Sequence, residues 1–141
     1  MEFKTFSDKQ TKKIAASLFK EIAKSRPRTG KNALVIALSG DLGAGKTTFV
    51  QGFLRAAGVR KRIASPTFVL IKSYKFMYHI DCYRIKNPKE LLDLGLKEIL
   101  NNPKNIVLIE WAEKIRRILL KKTIWIKLKH SKKINERVLK I

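Results

Sequence analysis

The chain is poor in acidic residues and in cysteine. It carries 11 Asp and Glu against 32 Lys and Arg, which gives a formal net charge of +21. Its single cysteine, Cys82, excludes an intrachain disulfide and is typical of a protein of the reducing cytoplasm. No apolar run is long enough to cross a bilayer, and residues 1–7 lack the apolar core of a signal peptide. The sequence therefore predicts a cytoplasmic protein with no membrane partner.

The length and composition are those of one globular domain. The chain has 141 residues, of which 45% are hydrophobic, and we expect a single domain over residues 1–141. The positive charge would attract RNA, DNA or an acidic protein, and salt would weaken the attraction. A basic, well-solvated surface explains the same charge. Most of the basic residues are lysines spread along the chain, which argues against sequence-specific readout of a nucleic acid.

The most informative stretch is residues 40–48, GDLGAGKTT, which fit the phosphate-binding pattern G-x-x-x-x-G-K-[ST]. The apolar run 32–38 before it predicts a buried parallel strand. Residues 48–57 after it follow a helical pattern that Gly58 can terminate. An accidental glycine-rich turn would not need a strand before it and a helix after it, so we interpret the stretch as a P-loop.

Each residue type of this loop suits the binding of a nucleotide. The glycines let backbone N–H groups approach phosphate oxygens, and the helix directs its positive end at the same oxygens. Lys46 would reach the β- and γ-phosphates, and the hydroxyl of Thr47 would ligate Mg²⁺. The predicted nucleotide contacts of the loop are Asp41, Leu42, Gly43, Ala44, Gly45, Lys46, Thr47 and Thr48.

Two acidic residues end apolar stretches of this acid-poor chain. Asp81 closes the strand pattern 76–81, and Glu110 follows the apolar run 106–109 in the manner of a Walker B carboxylate. Either carboxylate could serve a magnesium site. Asp81 could instead cap the next turn or pair with Arg84, and Glu110 could stabilise the start of a helix over 112–119. The sequence leaves these alternatives open.

The remaining patterns give the fold class. A capping box at Ser7 and Gln10 predicts a helix up to about residue 25, and two short runs, 69–74 and 76–81, predict a hairpin. Strands are expected at 123–129 and at 137–141, the last of them at the edge of the sheet. We therefore predict an α/β, three-layer P-loop NTPase-like domain whose mixed, mostly parallel sheet is flanked by helices.

With these stretches located, the chain resembles the TsaE family of small bacterial P-loop ATPases, formerly called YjeE. The P-loop by itself is shared by many families, and its combination with the other segments is far more specific. The segments that carry the resemblance are 40–49, Gln51-Gly52, Ser65-Pro66-Thr67-Phe68, His79-Ile80-Asp81-Cys82-Tyr83-Arg84, Leu94-Gly95-Leu96 and Ile109-Glu110-Trp111.

The resemblance implies a function that composition does not. TsaE proteins take part in the threonylcarbamoyladenosine modification of the tRNA adenosine next to the anticodon, together with TsaB and TsaD. They hydrolyse ATP with Mg²⁺, weakly without their partners, and hydrolysis supports turnover of the complex. The implied cofactors are thus ATP and Mg²⁺, and the implied partners are the TsaB and TsaD proteins. tRNA is a further candidate partner, in direct contact or through the complex.

The resemblance also implies roles for individual residues. The implied catalytic residues are Lys46, Thr67, Asp81 and Glu110, with Thr47 and Glu110 as the Mg²⁺ ligands. Thr67 or Asp81 would orient the attacking water. Thr11 matches a family threonine near the nucleotide base, and Trp111 and Arg137 are further expected nucleotide contacts.

Two other functions fit parts of the pattern. A small-molecule kinase would use the same loop but would need an acceptor pocket and usually a mobile lid carrying arginine. A basic RNA-binding protein with a nucleotide switch would account for the charge of +21. The two histidines, His79 and His130, are too isolated in the sequence to predict a metal site.

Overall fold

A computed structural model of the chain describes residues 1–25, 30–63 and 70–141. The strands within these residues are β1 (Glu2–Thr5), β2 (Leu34–Gly40), β3 (Ile71–Tyr74), β4 (Met77–Asp81), β5 (Ile106–Glu110), β6 (Ile124–His130) and β7 (Arg137–Lys140). The α-helices are α1 (Asp8–Lys24), α2 (Lys46–Ala56), α3 (Lys89–Leu92) and α4 (Leu96–Leu100). Residues Ala112–Ile118 form a 3₁₀ helix.

The strands form a mixed sheet in the order β1-β7-β6-β2-β5-β4-β3. β5 pairs in parallel with β2 on one side and with β4 on the other. The ladders β1–β7, β6–β7 and β3–β4 are antiparallel. The predicted α/β class with a mixed sheet is confirmed.

The edge of the sheet differs from the expectation. Residues 137–141 were expected to form an edge strand, yet β7 lies between β6 and β1. The edge strand beyond β7 is β1, which was not predicted. Four residues at a chain end give too short an alternation to indicate a strand on their own. The register, with Glu2 opposite Lys140 and Thr5 opposite Arg137, supplies the missing information.

Local signals explain where helix α1 begins. The hydroxyl of Ser7 accepts a hydrogen bond of 3.1 Å from the backbone N–H of Gln10. The side chain of Gln10 in turn accepts one of 2.7 Å from the N–H of Phe6, one residue earlier than in an ideal capping box. The predicted cap is confirmed, and α1 ends at Lys24.

The expected hairpin is present as β3 and β4, joined through Lys75, whose φ is +60°. The expected helix at 112–119 is wrong in type, since residues 112–118 form a 3₁₀ helix. A non-helical backbone at Ile115, with φ of −123°, interrupts it, so the α-helical hydrogen-bond pattern cannot continue.

By internal contacts the chain divides into two compact units, one of residues 1–27, 39–64 and 126–141 and one of residues 28–38 and 65–125. In the first unit α1 packs on α2, with the rings of Phe19 and Phe53 edge to face at 5.4 Å. In the second unit one face of β2, β4 and β5 packs against α3, α4 and the 3₁₀ helix. Its buried side chains include Val35, Ala37, Ile80, Val107, Ile109, Leu91, Leu96 and Ile115. The prediction of one domain stays a prediction.

Candidate functional site

The predicted P-loop follows the strand and precedes the helix that the pattern requires. β2 ends at Gly40, and α2 begins at Lys46. Gly40, Gly43 and Gly45 all have positive φ, and Gly45 is the left-handed residue before the helix. This geometry brings successive backbone N–H groups to the start of α2, which is the arrangement that binds phosphate.

Gly40 is required for a second reason. A Cβ atom at this position would lie 2.0 Å from the carbonyl oxygen of Leu128 in β6. No side chain fits in that space, and the φ of +136° already disfavours any other residue. The first glycine of the loop therefore permits close contact with a strand far away in the sequence.

Lys46 is buried, and its ammonium group lies over its own loop. Nζ donates to the carbonyl oxygens of Gly40 at 2.6 Å and Asp41 at 2.8 Å. A buried ammonium needs such partners. The contacts hold the charge in the centre of the loop, where a phosphate-binding lysine has to be.

The other residues of the loop that are predicted to contact the nucleotide differ in exposure. Asp41, Leu42 and Gly43 are exposed, Ala44 is buried, and its N–H donates to the carbonyl of Asp41 at 3.1 Å. Thr47 and Thr48 lie in the first turn of α2 and are half-buried. The hydroxyl-bearing residues thus stand at the positive end of the helix.

His130 contacts the P-loop, a role that the sequence did not reveal. Its Nε2 donates to the carbonyl oxygen of Leu42 at 3.1 Å, across 88 positions of the chain. His130 lies opposite Arg137 in the β6–β7 ladder, and Arg137 lies opposite Thr5 in the β1–β7 ladder. A row of three side chains therefore runs from the P-loop across three strands.

Thr11 contacts Thr5, the residue at the far end of this row. It is buried in α1, and its hydroxyl shares a hydrogen bond of 2.7 Å with the hydroxyl of Thr5. Arg137, half-buried in the middle of the row, borders a cavity of about 210 Å³ lined also by Phe6, Ser7, Asp8 and Asn135. Thr5 thus links Thr11, through a hydrogen bond, to Arg137, its neighbour in the β1–β7 ladder. The sequence could not relate Thr11 and Arg137 to each other.

In the second unit, Asp81 and Glu110 end neighbouring parallel strands. They lie opposite each other in the β4–β5 ladder, and Leu38 of β2 lies opposite Glu110 on its other side. Both carboxylates are buried. Oδ1 of Asp81 accepts a hydrogen bond of 2.9 Å from the N–H of Tyr83, so the carboxylate does cap the next turn, as the alternative interpretation held.

Glu110 has a buried partner in His79. Nε2 of His79 lies 2.6 Å from Oε2 of Glu110, and the side chains are 0% and 4% exposed. Within the described residues Nδ1 of His79 has no hydrogen-bond partner. A buried N–H without an acceptor costs more than a buried lone pair without a donor, so the geometry assigns the proton to Nε2, which donates to Glu110. The sequence places His79 in a segment that carries the family resemblance and predicts no metal site there. Its spacing of two from Asp81 indicates a shared side of β4 but not the partner Glu110.

Trp111 directly follows Glu110 in a strained conformation. Its φ is +56°, in the left-handed region that large side chains rarely adopt. Its ring lies 5.1 Å from that of Tyr83, centroid to centroid, at a tilt of 46°. Lys114 donates to the carbonyl oxygen of Tyr83 and places Nζ 5.4 Å from the centre of the Tyr83 ring. These contacts fix the turn that leaves β5.

Thr67, the remaining predicted catalytic residue, lies outside the described residues. Among the residues described, no group of three or more His, Cys, Asp and Glu could hold a metal ion. Thr47 and Glu110, the predicted Mg²⁺ ligands, each carry an oxygen donor, the type of ligand that Mg²⁺ prefers. No helix in residues 1–25, 30–63 or 70–141 is long and apolar enough to cross a membrane.

Comparisons with known proteins agree with this geometry. The sequence profile described as "Threonylcarbamoyl adenosine biosynthesis protein TsaE" matches residues 5–139. A Rickettsia typhi protein named tRNA threonylcarbamoyladenosine biosynthesis protein TsaE is 41% identical over 128 residues, 87% of this chain and 82% of that protein. The protein of the same name from Rickettsia conorii is 40% identical over 118 residues, which cover 80% of this chain and 62% of its own length.

The fold is similar to a solved structure. A crystal structure of YdiB from Bacillus subtilis superposes with a TM-score of 0.76 at 31% sequence identity, covering 99% of this chain and 82% of that one. The profile match extends over far more than half of the residues, and it includes the P-loop, Asp81 and Glu110. The chain therefore belongs to the TsaE family, the threonylcarbamoyladenosine biosynthesis proteins.

Proposed function

We propose that this protein is a Mg²⁺-dependent ATPase of the cytoplasm. It would act with TsaB and TsaD in the threonylcarbamoyladenosine modification of tRNA, where hydrolysis supports turnover of the complex. The observation that carries the proposal is the P-loop with Lys46 held at its centre by two loop carbonyls. Membership of the TsaE family supports the pathway and the partners.

The proposed mechanism is positioning together with electrostatic stabilisation. The N–H groups of the loop and the ammonium of Lys46 bind the phosphates and stabilise the charge that develops on them. Thr47 and Glu110 are the proposed ligands of Mg²⁺, which when bound neutralises charge on the phosphate oxygens. Thr67 or Asp81 orients the attacking water.

The row of Thr5, Arg137 and His130 supports a location for the rest of the nucleotide. Phosphates bind at the loop beside Leu42, and the row leads from there past Arg137 to its cavity. We propose that the base or the ribose lies on the Arg137 side of this row. Trp111 is proposed as a further nucleotide contact, on the basis of the family motif alone.

The test is ATP turnover with Mg²⁺, measured for the protein alone and with purified TsaB and TsaD. We expect low turnover alone, stimulation by the partners, and a loss on the order of a hundredfold or more in Lys46→Ala. Lys20→Ala, an exposed lysine of α1, is the matched control and should behave as wild type. Absence of turnover in both settings would contradict the proposal.

The same assay separates the two alternatives. A small-molecule kinase would transfer the γ-phosphate to a metabolite and release little inorganic phosphate. A nucleotide-switched RNA-binding protein would bind RNA in a nucleotide-dependent way without any turnover. To separate Thr67 from Asp81, Thr67→Ala and Asp81→Asn are compared. Normal turnover in one of the two variants removes that residue from the role of orienting water.

A further inference from the structure

One side of the strands β1, β7 and β6 is a surface of lysines. The two antiparallel ladders align Glu2, Lys140 and Lys127 in one row. The neighbouring row consists of Lys4, Val138 and Lys129. Residues two apart on a strand, and residues opposite each other in a ladder, point to the same side of a sheet. The four lysines Lys4, Lys127, Lys129 and Lys140, here called the lysine face, therefore share one side.

The exposure of the residues confirms this division. All four residues of the lysine face are exposed, whereas Leu128 and Leu139, which alternate with them, are completely buried. Strands lie about 4.8 Å apart, and alternate residues of a strand lie about 6.8 Å apart. The four ammonium groups thus occupy a small area on an exposed part of the sheet.

Two carboxylates share this side and reduce its charge. Glu2 is exposed in the same row as Lys127 and Lys140. Glu136, which is buried, lies 3.9 Å from Nζ of Lys4. Lys4 is the exposed member of this pair and Glu136 the buried one, so Glu136 offsets part of the charge of Lys4. Four positive charges against two negative ones leave the side net positive.

We propose that the lysine face binds the phosphate backbone of RNA. Lysine is a flexible point charge that neutralises phosphate without reading bases. The net charge of +21 adds long-range attraction for a polyanion. The family takes part in the modification of tRNA, which makes RNA the polyanion that the protein meets. The inference goes beyond the proposed ATPase and does not depend on it.

The experiment compares two variants of equal charge. Four Lys→Gln substitutions in each lower the formal charge of +21 by four. The face variant carries them at Lys4, Lys127, Lys129 and Lys140. The helix variant carries them at the exposed positions Lys9, Lys13, Lys20 and Lys24 of α1. Binding of a fluorescently labelled, unmodified tRNA transcript is measured by anisotropy between 50 and 200 mM KCl, about the range over which such contacts weaken most.

We expect the face variant to bind about tenfold or more weakly. The slope of log K against log salt should fall by about 2.8 to 3.6 units, because four phosphate contacts are lost and each contributes about 0.7 to 0.9. The helix variant should keep most of the wild-type slope. Equal losses in both variants would overturn the proposal, since net charge alone would then explain binding. Undetectable binding by the wild type would overturn it as well.

Further controls keep the result interpretable. Urea unfolding checks that both variants fold, and a double variant, Lys127→Gln with Lys129→Gln on β6, should give about half of the change in slope if the face is responsible. Binding of polyglutamate is measured in parallel. The face variant could bind tRNA as the wild type does and yet no longer bind polyglutamate. That result would assign the face to an acidic protein instead and overturn the proposal. ATP turnover in the same preparations tests the proposed ATPase separately.

Discussion

Nε2 of His79 donates to the carboxylate of Glu110 across 2.6 Å in a buried environment. A buried carboxylate is costly unless it is hydrogen-bonded, and a carboxylate that ligates a metal has to be held in one orientation. We therefore expect His79 to be a positioning residue for Glu110, the proposed Mg²⁺ ligand. The pair connects two strands that are neighbours in the sheet but are separated by 31 positions in the sequence.

The first prediction compares His79→Leu with His79→Gln. Leucine removes the donor, and the affinity for Mg²⁺, measured in the presence of ADP, should fall about 10- to 100-fold. Glutamine supplies an amide N–H at a similar distance from the backbone and should keep most of the wild-type affinity for Mg²⁺. ¹⁵N spectra of the nucleotide-free protein should show His79 with its proton on Nε2. Equal effects of the two substitutions would mean that His79 only fills space.

The second prediction concerns Arg137 and its cavity. Arg137→Ala should weaken ATP binding about tenfold, which corresponds to about 1.4 kcal/mol, while the affinity for inorganic triphosphate stays unchanged. Lys46→Ala should lower the affinity for both ATP and triphosphate, because Lys46 belongs to the phosphate loop. Arg117→Ala, an exposed arginine of the 3₁₀ helix, is the control. If Arg137→Ala lowers the affinity for triphosphate as much as the affinity for ATP, the residue contacts phosphate and not the base or ribose.

The third prediction is about stability. A Cβ on Gly52 of α2 would lie 2.6 Å from Cα of Lys12 in α1. Gly52→Ala should lower the free energy of unfolding by about 1–3 kcal/mol, although alanine is the better helix former, because the two helices have to move apart. Gly30→Ala, where a Cβ meets nothing within 4 Å, should leave stability nearly unchanged. Urea unfolding measures both, and a more stable Gly52→Ala protein would contradict the packing argument.

The fourth prediction concerns Cys82. Burial, helped by the neighbouring carboxylate of Asp81, raises the pKa of its thiol from 9.0 to about 12. The folded protein at pH 8 therefore holds far less thiolate than the unfolded chain. Alkylation by iodoacetamide should be on the order of a hundredfold slower in the native state than in guanidinium chloride.

The same shift has a consequence for stability. Because the pKa of the folded state is the higher one, the contribution of Cys82 to stability is complete below pH 9.0 and is lost as the pH rises towards about 12. Cys82→Ala should remove that part of the alkaline loss of stability. Rapid alkylation of the native protein at pH 8 would contradict the assignment.

Much of the candidate site could be predicted because its signals are local. The three glycines, Lys46 and Thr47 of the P-loop lie within eight positions of one another, counted from Gly40 to Thr47, and their conformation depends on near neighbours. The cap at Ser7 and the hairpin of β3 and β4 are local in the same sense. The family assignment also rests on short segments in a fixed order, which the comparisons confirm.

Other features depend on contacts between distant parts of the chain. The edge position of β1, the contact of His130 with Leu42 and the alignment of Thr5 with Arg137 all follow from strand register. Register is decided by the packing of whole faces of the sheet, to which each single residue contributes little. The donor that orients Glu110 was likewise hidden, because its own strand gives no indication of its neighbour.

The sequence by itself thus determined the chemistry of the loop, the family and the α/β class. A short motif fixes backbone conformation and functional groups through covalent proximity. Only the tertiary structure decided which residues support that chemistry, such as His79 beside Glu110 and His130 beside Leu42. It also gathered four scattered lysines into one face, because the pairing of β1, β7 and β6 aligns side chains from opposite ends of the chain.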